Sequence, residues 1–216
     1  MSSLVLLGFG GHARSVADVA LAAGFGRLLF VDENAQAGET FLGFPVQGLM
    51  PSPSDGWVYM PCAGDNQRRL SQIRLIASAG LPLATVVSEK ATIGHGAAIG
   101  PGCFVGHHAH VGPLASLGAG CIVNTGAIVE HDCVVGDCSH VSIRSCMAGR
   151  SKLGNCVFLG AGAVVIDGVS IAGGVIIGAG GVVVAAIDSP GVYVGVPVRC
   201  VHSAQPPRFP MASPPP

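Results

Sequence analysis

Ala97-Ala98-Ile99-Gly100-Pro101-Gly102-Cys103-Phe104-Val105-Gly106-His107-His108-Ala109-His110-Val111-Gly112 repeats one pattern every six residues. Extended both ways, every sixth position is apolar and bulky: Val87, Ile93, Ile99, Val105, Val111, Leu117, Val123, Val129, Val135, Val141, Met147, Leu153, Leu159, Val165, Ile171, Ile177 and Val183. With half of all residues apolar, chance would produce such a run about once in 10^5 tries. Most of these residues follow, at a distance of two, a small side chain such as Ala91, Ala97, Cys103, Ala109, Ala115, Cys121, Ala127, Cys133 or Ser139, and nine of the seventeen precede a glycine. A period of six fits neither the helical 3.6 nor a simple hairpin. It suits a short strand that turns a corner and repeats, with the large aliphatic inside, which is a hexapeptide parallel β-helix. Three strands close one triangular coil, so positions three hexads apart should stack about 4.8 Å from each other, and the repeat makes between five and six coils.

Composition narrows the function. Charged residues are 11 % of the chain and the formal net charge is −1, too little positive charge for a nucleic-acid surface. Glycines and polar residues interrupt every apolar run before about 18 residues, so no membrane span is expected. Residues 1–7 lack the basic start and long apolar core of a signal peptide. The eight cysteines have no CxxC spacing, which makes a reducing cytoplasm the expected compartment. Cys103 with Cys121, and Cys138 with Cys156, should stack within disulfide reach, although small buried thiols are the simpler expectation.

Before the repeat, residues 4–7 form a buried-strand run. Gly8-Phe9-Gly10-Gly11-His12-Ala13 follows, then a helical pattern in Val16, Val19, Ala20 and Ala23. A second apolar run over 28–31 ends in Asp32-Glu33, a third strand is expected over 57–60, and a helix over 66–79 with Asp65 or Asn66 as its N-cap. Gly8, Gly10, Ala13 and Asp32 satisfy the dinucleotide fingerprint, in which a glycine turn lays phosphate on a helix N-terminus and an acid meets a ribose hydroxyl. Only half of a dinucleotide fold fits before the repeat begins, which disfavours a nicotinamide oxidoreductase. The expectation is a nucleotide or nucleotide-sugar pocket built from Gly10, Gly11, His12, Asp32, Glu33 and Gly64; the alternative is that the glycines serve only a tight turn. Residues 39–55 read as a loop or short hairpin.

Among the eight histidines, His95 and His107 fall at corners, where solvent exposure is expected. His107, His108 and His110 could suggest a metal, but close spacing round one corner scatters their side chains. The equivalent positions of the next coil hold Thr125, Gly126 and Ile128, so no metal is expected.

The run from Asn124 through Glu130-His131-Asp132 to His140-Val141-Ser142 resembles the signature of the sialic-acid O-acetyltransferase-like hexapeptide-repeat acetyltransferases. The resemblance extends to Gly10-Gly11-His12, Asp32-Glu33, Gly64-Asp65-Asn66 with Arg69, and the closing Gly195-Val196-Pro197-Val198-Arg199. Its nearest pattern is that of the sugar-nucleotide N-acetyltransferases of the UDP-N-acetylbacillosamine type. It implies a left-handed coil, acetyl-CoA as co-substrate, a homotrimer, His131 as general base and Asp132 as the acid that orients it. An imidazole suits the base role because an amine or hydroxyl sheds a proton as it attacks a thioester. It also implies that His140 contacts acetyl-CoA and that the pantetheine runs past Ala161 and Ala179, with Arg199 a candidate for a CoA phosphate. From stacking, Gly149 lies one coil above His131, and its N–H is expected to be the oxyanion donor. His140 lies half a coil from His131, so it would join the site from a neighbouring copy. Ile143-Arg144-Ser145 departs from the Pro-Gly-Ala common in the wider group, which leaves the acceptor open.

The expected organisation is a half-Rossmann-like α/β nucleotide-sugar-binding domain over 1–86, an all-β left-handed parallel β-helix over 87–201, and a disordered tail over 202–216. The expected activity is acetyl-CoA-dependent N-acetylation of a nucleotide-linked amino sugar, foremost a UDP-4-amino-4,6-dideoxy sugar, in the cytoplasm. O-acetylation of sialic acid or another sugar, and a noncatalytic nucleotide-sugar-binding scaffold, are the rival readings. Nothing in the chain distinguishes UDP from dTDP or GDP.

Overall fold

The computed structural model describes residues 2–51 and 56–203. The N-terminal unit begins with β1 (Ser3–Leu7), α1 (Gly11–Ala22), β2 (Arg27–Val31), β3 (Thr40–Phe41), β4 (Phe44–Gln47), β5 (Trp57–Pro61) and α2 (Asn66–Ser78). The expected strand–turn–helix order is present. Residues 40–47 form the expected hairpin, and they also extend the sheet: β4 pairs in parallel with β2, giving the order β3-β4-β2-β1-β5. All five residues of β1 are buried, as a central parallel strand covered on both faces requires. Asp65 is the N-cap of α2, its Oδ1 accepting the Arg68 N–H at 2.8 Å.

The repeat begins one residue earlier than the sequence pattern suggested. Seventeen two-residue strands run from β6 (Val86–Val87) to β22 (Val182–Val183). Every third strand pairs in parallel, each position meeting its equivalent one coil on, for example Val111 with Val129 and Val129 with Met147. The result is a left-handed parallel β-helix with three flat faces. Val105, Val111, Val123, Val129, Val141, Met147, Leu159, Val165, Ile177 and Val183 are wholly buried along its axis, with Cys103, Ala109, Ala115, Cys121, Ala127 and Cys133 beside them. Burying each large aliphatic contributes roughly 1.5–3 kcal/mol, so the six-residue pattern that identifies the fold also supplies its core. The cysteines are free thiols, as the simpler expectation had it.

Two backbone features recur at the corners. The third residue past a core position adopts a left-handed conformation, as in Asp132 (φ 59°), Cys138 (φ 53°) and Arg150 (φ 59°), with glycine at many equivalent positions. The glycine directly after a core residue answers a different need, close approach of the next coil: a Cβ on Gly112 would lie 2.6 Å from the His131 N.

The two units share a seam. One β-helix face points Val86, Phe104, Ile122, His140, Phe158 and Ile176 outward. Phe104 and Ile122 enter the same cluster as Leu4, Leu6, Val16, Val19 and Phe30, with α1 packed between sheet and coil. Strand β23 (Val192–Val194) continues this face and pairs antiparallel with β24 (Arg199–His202). His202 is therefore strand rather than the start of the tail, and the expected disorder of 204–216 concerns residues outside those described. No helix among the described residues is long and apolar enough to cross a membrane.

Candidate active site

His131 sits on a corner of the coil, its side chain 45 % exposed and so open to a reactant. Backbone on either side holds it: its N–H donates to Glu130 Oε2 at 3.1 Å, and its carbonyl accepts the Arg150 N–H at 2.9 Å. The left-handed turn at Asp132 swings that carboxylate back beside the ring, where Oδ2 meets His131 Nδ1 at 2.9 Å. A carboxylate only accepts, so Nδ1 carries the proton and Nε2 presents a lone pair.

Gly149 lies directly above. A Cβ on it would stand 2.5 Å from both Cε1 and Nε2 of His131, so only glycine leaves room for the ring in this orientation. The Gly149 N–H has no partner among the described residues, whereas its carbonyl accepts from Gly168 at 2.9 Å. A free N–H beside an imidazole lone pair is the arrangement acyl transfer needs, one group to take a proton and one to receive an oxyanion.

His140 is on a different part of the coil, on the seam face, separated from His131 as the stacking arithmetic requires. It is 7 % exposed. Its Nε2 lies 3.2 Å from Asn124 Nδ2, its ring meets Phe158 edge-on, and the His12 ring is 6.2 Å away. His140 Nδ1 and His12 Nε2 are buried without hydrogen-bond partners among the described residues. Burial, then the Arg69 guanidinium, pushes the His12 pKa down to about 3. Burial, Arg69 and His12, in that order, hold His140 well below the usual histidine range. Both rings are therefore neutral at ordinary pH.

Arg69 makes the seam polar. It is wholly buried, donating Nε to the Gly120 carbonyl at 2.7 Å, Nη1 to Ala63 at 2.9 Å, and Nη2 to Cys138 at 2.7 Å and Asn66 Oδ1 at 2.8 Å. Asn66 in turn donates to the Val157 carbonyl at 3.0 Å. The N-terminus of α2 is thereby tied to three successive coils. Arg69 carried no sequence signal for this task beyond its place in the family pattern.

The residues expected around the nucleotide do gather at the C-terminal ends of the parallel strands. Gly64 packs against His12, a Cβ there lying 3.9 Å from the His12 Cβ. Gly10 caps α1 without a side-chain bond, so the first amides of that helix face outward. Asp32 is partly committed to the turn: Oδ2 accepts the Phe9 N–H at 2.9 Å and Oδ1 the Asn34 N–H at 3.0 Å. Glu33 faces Arg68 at 3.2 Å. An adjoining cleft of about 290 Å³ lies between α1 and the coil, lined by Arg14, Ser15, Asp18, Phe104, His107 and Thr125. His107, expected at a solvent-facing corner, is a brace instead, bonding Ser88 Oγ at 2.6 Å and Asp18 Oδ2 at 3.1 Å.

Ala161 and Ala179 stack at exposed corners one coil apart, and the Gly180 N–H donates to the Ala161 carbonyl at 2.8 Å. Neither alanine N–H has a partner among the described residues. Arg199 is exposed in β24, where it pairs with Val194, and its Nη1 donates to the Val198 carbonyl at 2.9 Å. Among the described residues no three His, Cys, Asp or Glu side chains gather as metal ligands.

Residues 3–74 match the family described as the PglD N-terminal domain. The acetyltransferase domain of PglB from Neisseria gonorrhoeae superposes with a TM-score of 0.87 at 30 % identity, covering 93 % of this chain and 100 % of that one. That domain in complex with acetyl coenzyme A gives 0.86 at 30 % identity, over 92 % and 98 % of the two chains. PerB from Caulobacter crescentus, in complex with CoA and GDP-perosamine, matches with a TM-score of 0.81 at 30 % identity over 93 % of this chain and 97 % of that one.

Proposed function

Since the chain belongs to the hexapeptide-repeat acetyltransferase family of the PglB acetyltransferase domain and PerB, we propose that it moves the acetyl group of acetyl-CoA onto the amino group of a nucleotide-linked sugar. The enzyme is an acetyl-CoA-dependent N-acetyltransferase. The acceptor we propose is a UDP-linked 4-amino-4,6-dideoxy sugar, the reading favoured by the resemblance of Gly10-Gly11-His12 and Glu130-His131-Asp132 to the UDP-N-acetylbacillosamine-type enzymes. Its nucleotide rests at the glycine turn, on Gly10, Gly11 and His12, with Asp32, Glu33 and Gly64 around it. Acetyl-CoA follows the corner column past Ala161 and Ala179, with His140 near the acyl end and Arg199 near a phosphate. Both substrates are intracellular metabolites, which supports a cytoplasmic enzyme.

His131 takes the proton. Asp132 holds the ring by its Nδ1–H, so the lone pair on Nε2 faces the acceptor nitrogen and the imidazolium that forms is stabilised. The nitrogen attacks the thioester carbon, the carbonyl electrons move to oxygen, and the Gly149 N–H receives that oxyanion. Collapse breaks the C–S bond, and the CoA sulfur leaves as the thiol, taking a second proton from the nitrogen. His140 is buried in the seam and His131 stands on a corner, so the two do not meet within one copy; on this reading acetyl-CoA lies against His131 of one copy and beside the seam that holds His140 of its neighbour in a trimer.

The observation that carries this reading is the closeness of the His131 ring to Gly149, whose Cβ would stand 2.5 Å from Nε2 and whose N–H has no partner among the described residues. His131→Ala should lower kcat at least 10^3-fold while CoA still binds with wild-type affinity by calorimetry. Turnover near the wild-type rate would reject His131 as the base.

A further inference from the structure

The His131 corner stacks into a column of His131, Gly149 and Asp167, one residue from each of three successive coils. Gly149 has no side chain, so Asp167 reaches down across the gap. Its Oδ2 lies 3.1 Å from the point a Gly149 Cβ would occupy, and His131 Nε2 lies 2.5 Å from the same point. The two atoms are therefore no farther apart than those distances laid end to end. Asp167 Oδ1 is held by Arg150 Nη2, and Oδ2 has no partner among the described residues. A clamped carboxylate oxygen and the imidazole Nε2 thus flank Gly149 on the same side, with half of the Asp167 side chain still exposed.

We propose that Asp167 Oδ2 and His131 Nε2 together form a subsite for the protonated amino group of the acceptor, making Asp167 the residue that favours amine over hydroxyl acceptors. An aliphatic amine reaches the enzyme at neutral pH largely as ammonium, with three N–H bonds to give. One points to Nε2 and one to Oδ2. The proton on the first passes to Nε2, and the freed lone pair forms the C–N bond as the thioester π bond opens to oxygen. When the C–S bond breaks, sulfur takes the second N–H proton, which leaves amide, CoA thiol and an imidazolium that returns its proton to water. A hydroxyl acceptor can also donate to the carboxylate, but it carries no charge, so it lacks the attraction between opposite charges that an ammonium adds to the hydrogen bond. Arg150 holds Asp167 by its Oδ1, a positioning role.

This subsite rests on the base assignment of His131, and the test separates the two. UDP-, dTDP- and GDP-linked 4-amino-4,6-dideoxy sugars are assayed by CoA-thiol release, and the acceptor turned over fastest is carried through a pH series with wild type, Asp167→Asn and His131→Ala. Asp167→Asn should raise the acceptor KM about tenfold below the pKa of the acceptor amine, the loss of one charge-assisted hydrogen bond. The KM difference should shrink above that pKa, where the amine is neutral, and the acetyl-CoA KM should not change. A variant KM equal to wild type, or raised by the same factor at every pH, overturns the ammonium subsite while a dead His131→Ala still upholds the base. A fully active His131→Ala overturns both.

Discussion

At the scale of single residues, the proposed chemistry depends on what Gly149 lacks. His131 is positioned by its neighbour Asp132 and by the empty space above it, and a methyl group there would stand 2.5 Å from Cε1 and Nε2. Gly149→Ala must displace either the ring or the corner backbone. We expect kcat to fall at least 100-fold with CoA affinity and the far-ultraviolet spectrum unchanged, since the site is a surface corner; a variant retaining a tenth or more of wild-type kcat would show that the ring is free to move aside. His131 and Asp132 were legible from the motif, and Gly149 from counting one coil onward. Asp167 is reachable by the same count taken once more, yet its relevance appears only when the missing side chain at Gly149 is seen to open the path between them.

At the scale of elements, the seam between the N-terminal unit and the coil concentrates buried polar groups. Arg69 bonds carbonyls rather than a carboxylate, and His12 and His140 lie close enough for its charge to help keep them neutral. In the unfolded chain these histidines titrate near the ordinary 6.5. Below that pH the unfolded chain binds protons that the folded chain refuses, so stability falls as pH drops. Each histidine contributes a slope of up to about 1.4 kcal/mol per pH unit until its folded pKa is reached; above pH 6.5 this dependence vanishes. Urea unfolding of His140→Gln should therefore lose stability less steeply than wild type between pH 6.5 and 5. Parallel slopes would mean that His140 is protonated in the folded state. The seam had a signal in the sequence: among outward positions, those at Val86, Phe104, Ile122, His140, Phe158 and Ile176 form a series, one per coil, dominated by large apolar side chains. Recognising which face it marks requires knowing that three hexads make one coil.

At the scale of the whole molecule, a site built from His131 and His140 of different copies is a heterologous contact that closes on itself in a ring. The native particle should have about three times the 21.6 kDa chain mass. Co-expressing His131→Ala with His140→Ala tests the sharing directly. Each variant alone should be inactive, and random mixed trimers should recover about a quarter of wild-type activity, because one ordered neighbour pair in four brings an intact His131 to an intact His140. No recovery in purified mixed assemblies would place both histidines of a site in one chain.

The sequence by itself determined the coil, because a period of six with a large aliphatic inside and a small residue beside it has one economical way to bury its apolar surface. It also determined the strand–turn–helix entry, the pairing of His131 with Asp132, and the register that brings Gly149 above them, all of which follow from local order or from counting. Only the tertiary structure decided how the two units meet. The burial of Arg69, the neutral state of His12 and His140 and the bracing of α1 by His107 depend on which surfaces exclude water from one another. Those contacts join residues far apart in the chain, where sequence spacing carries no distance information.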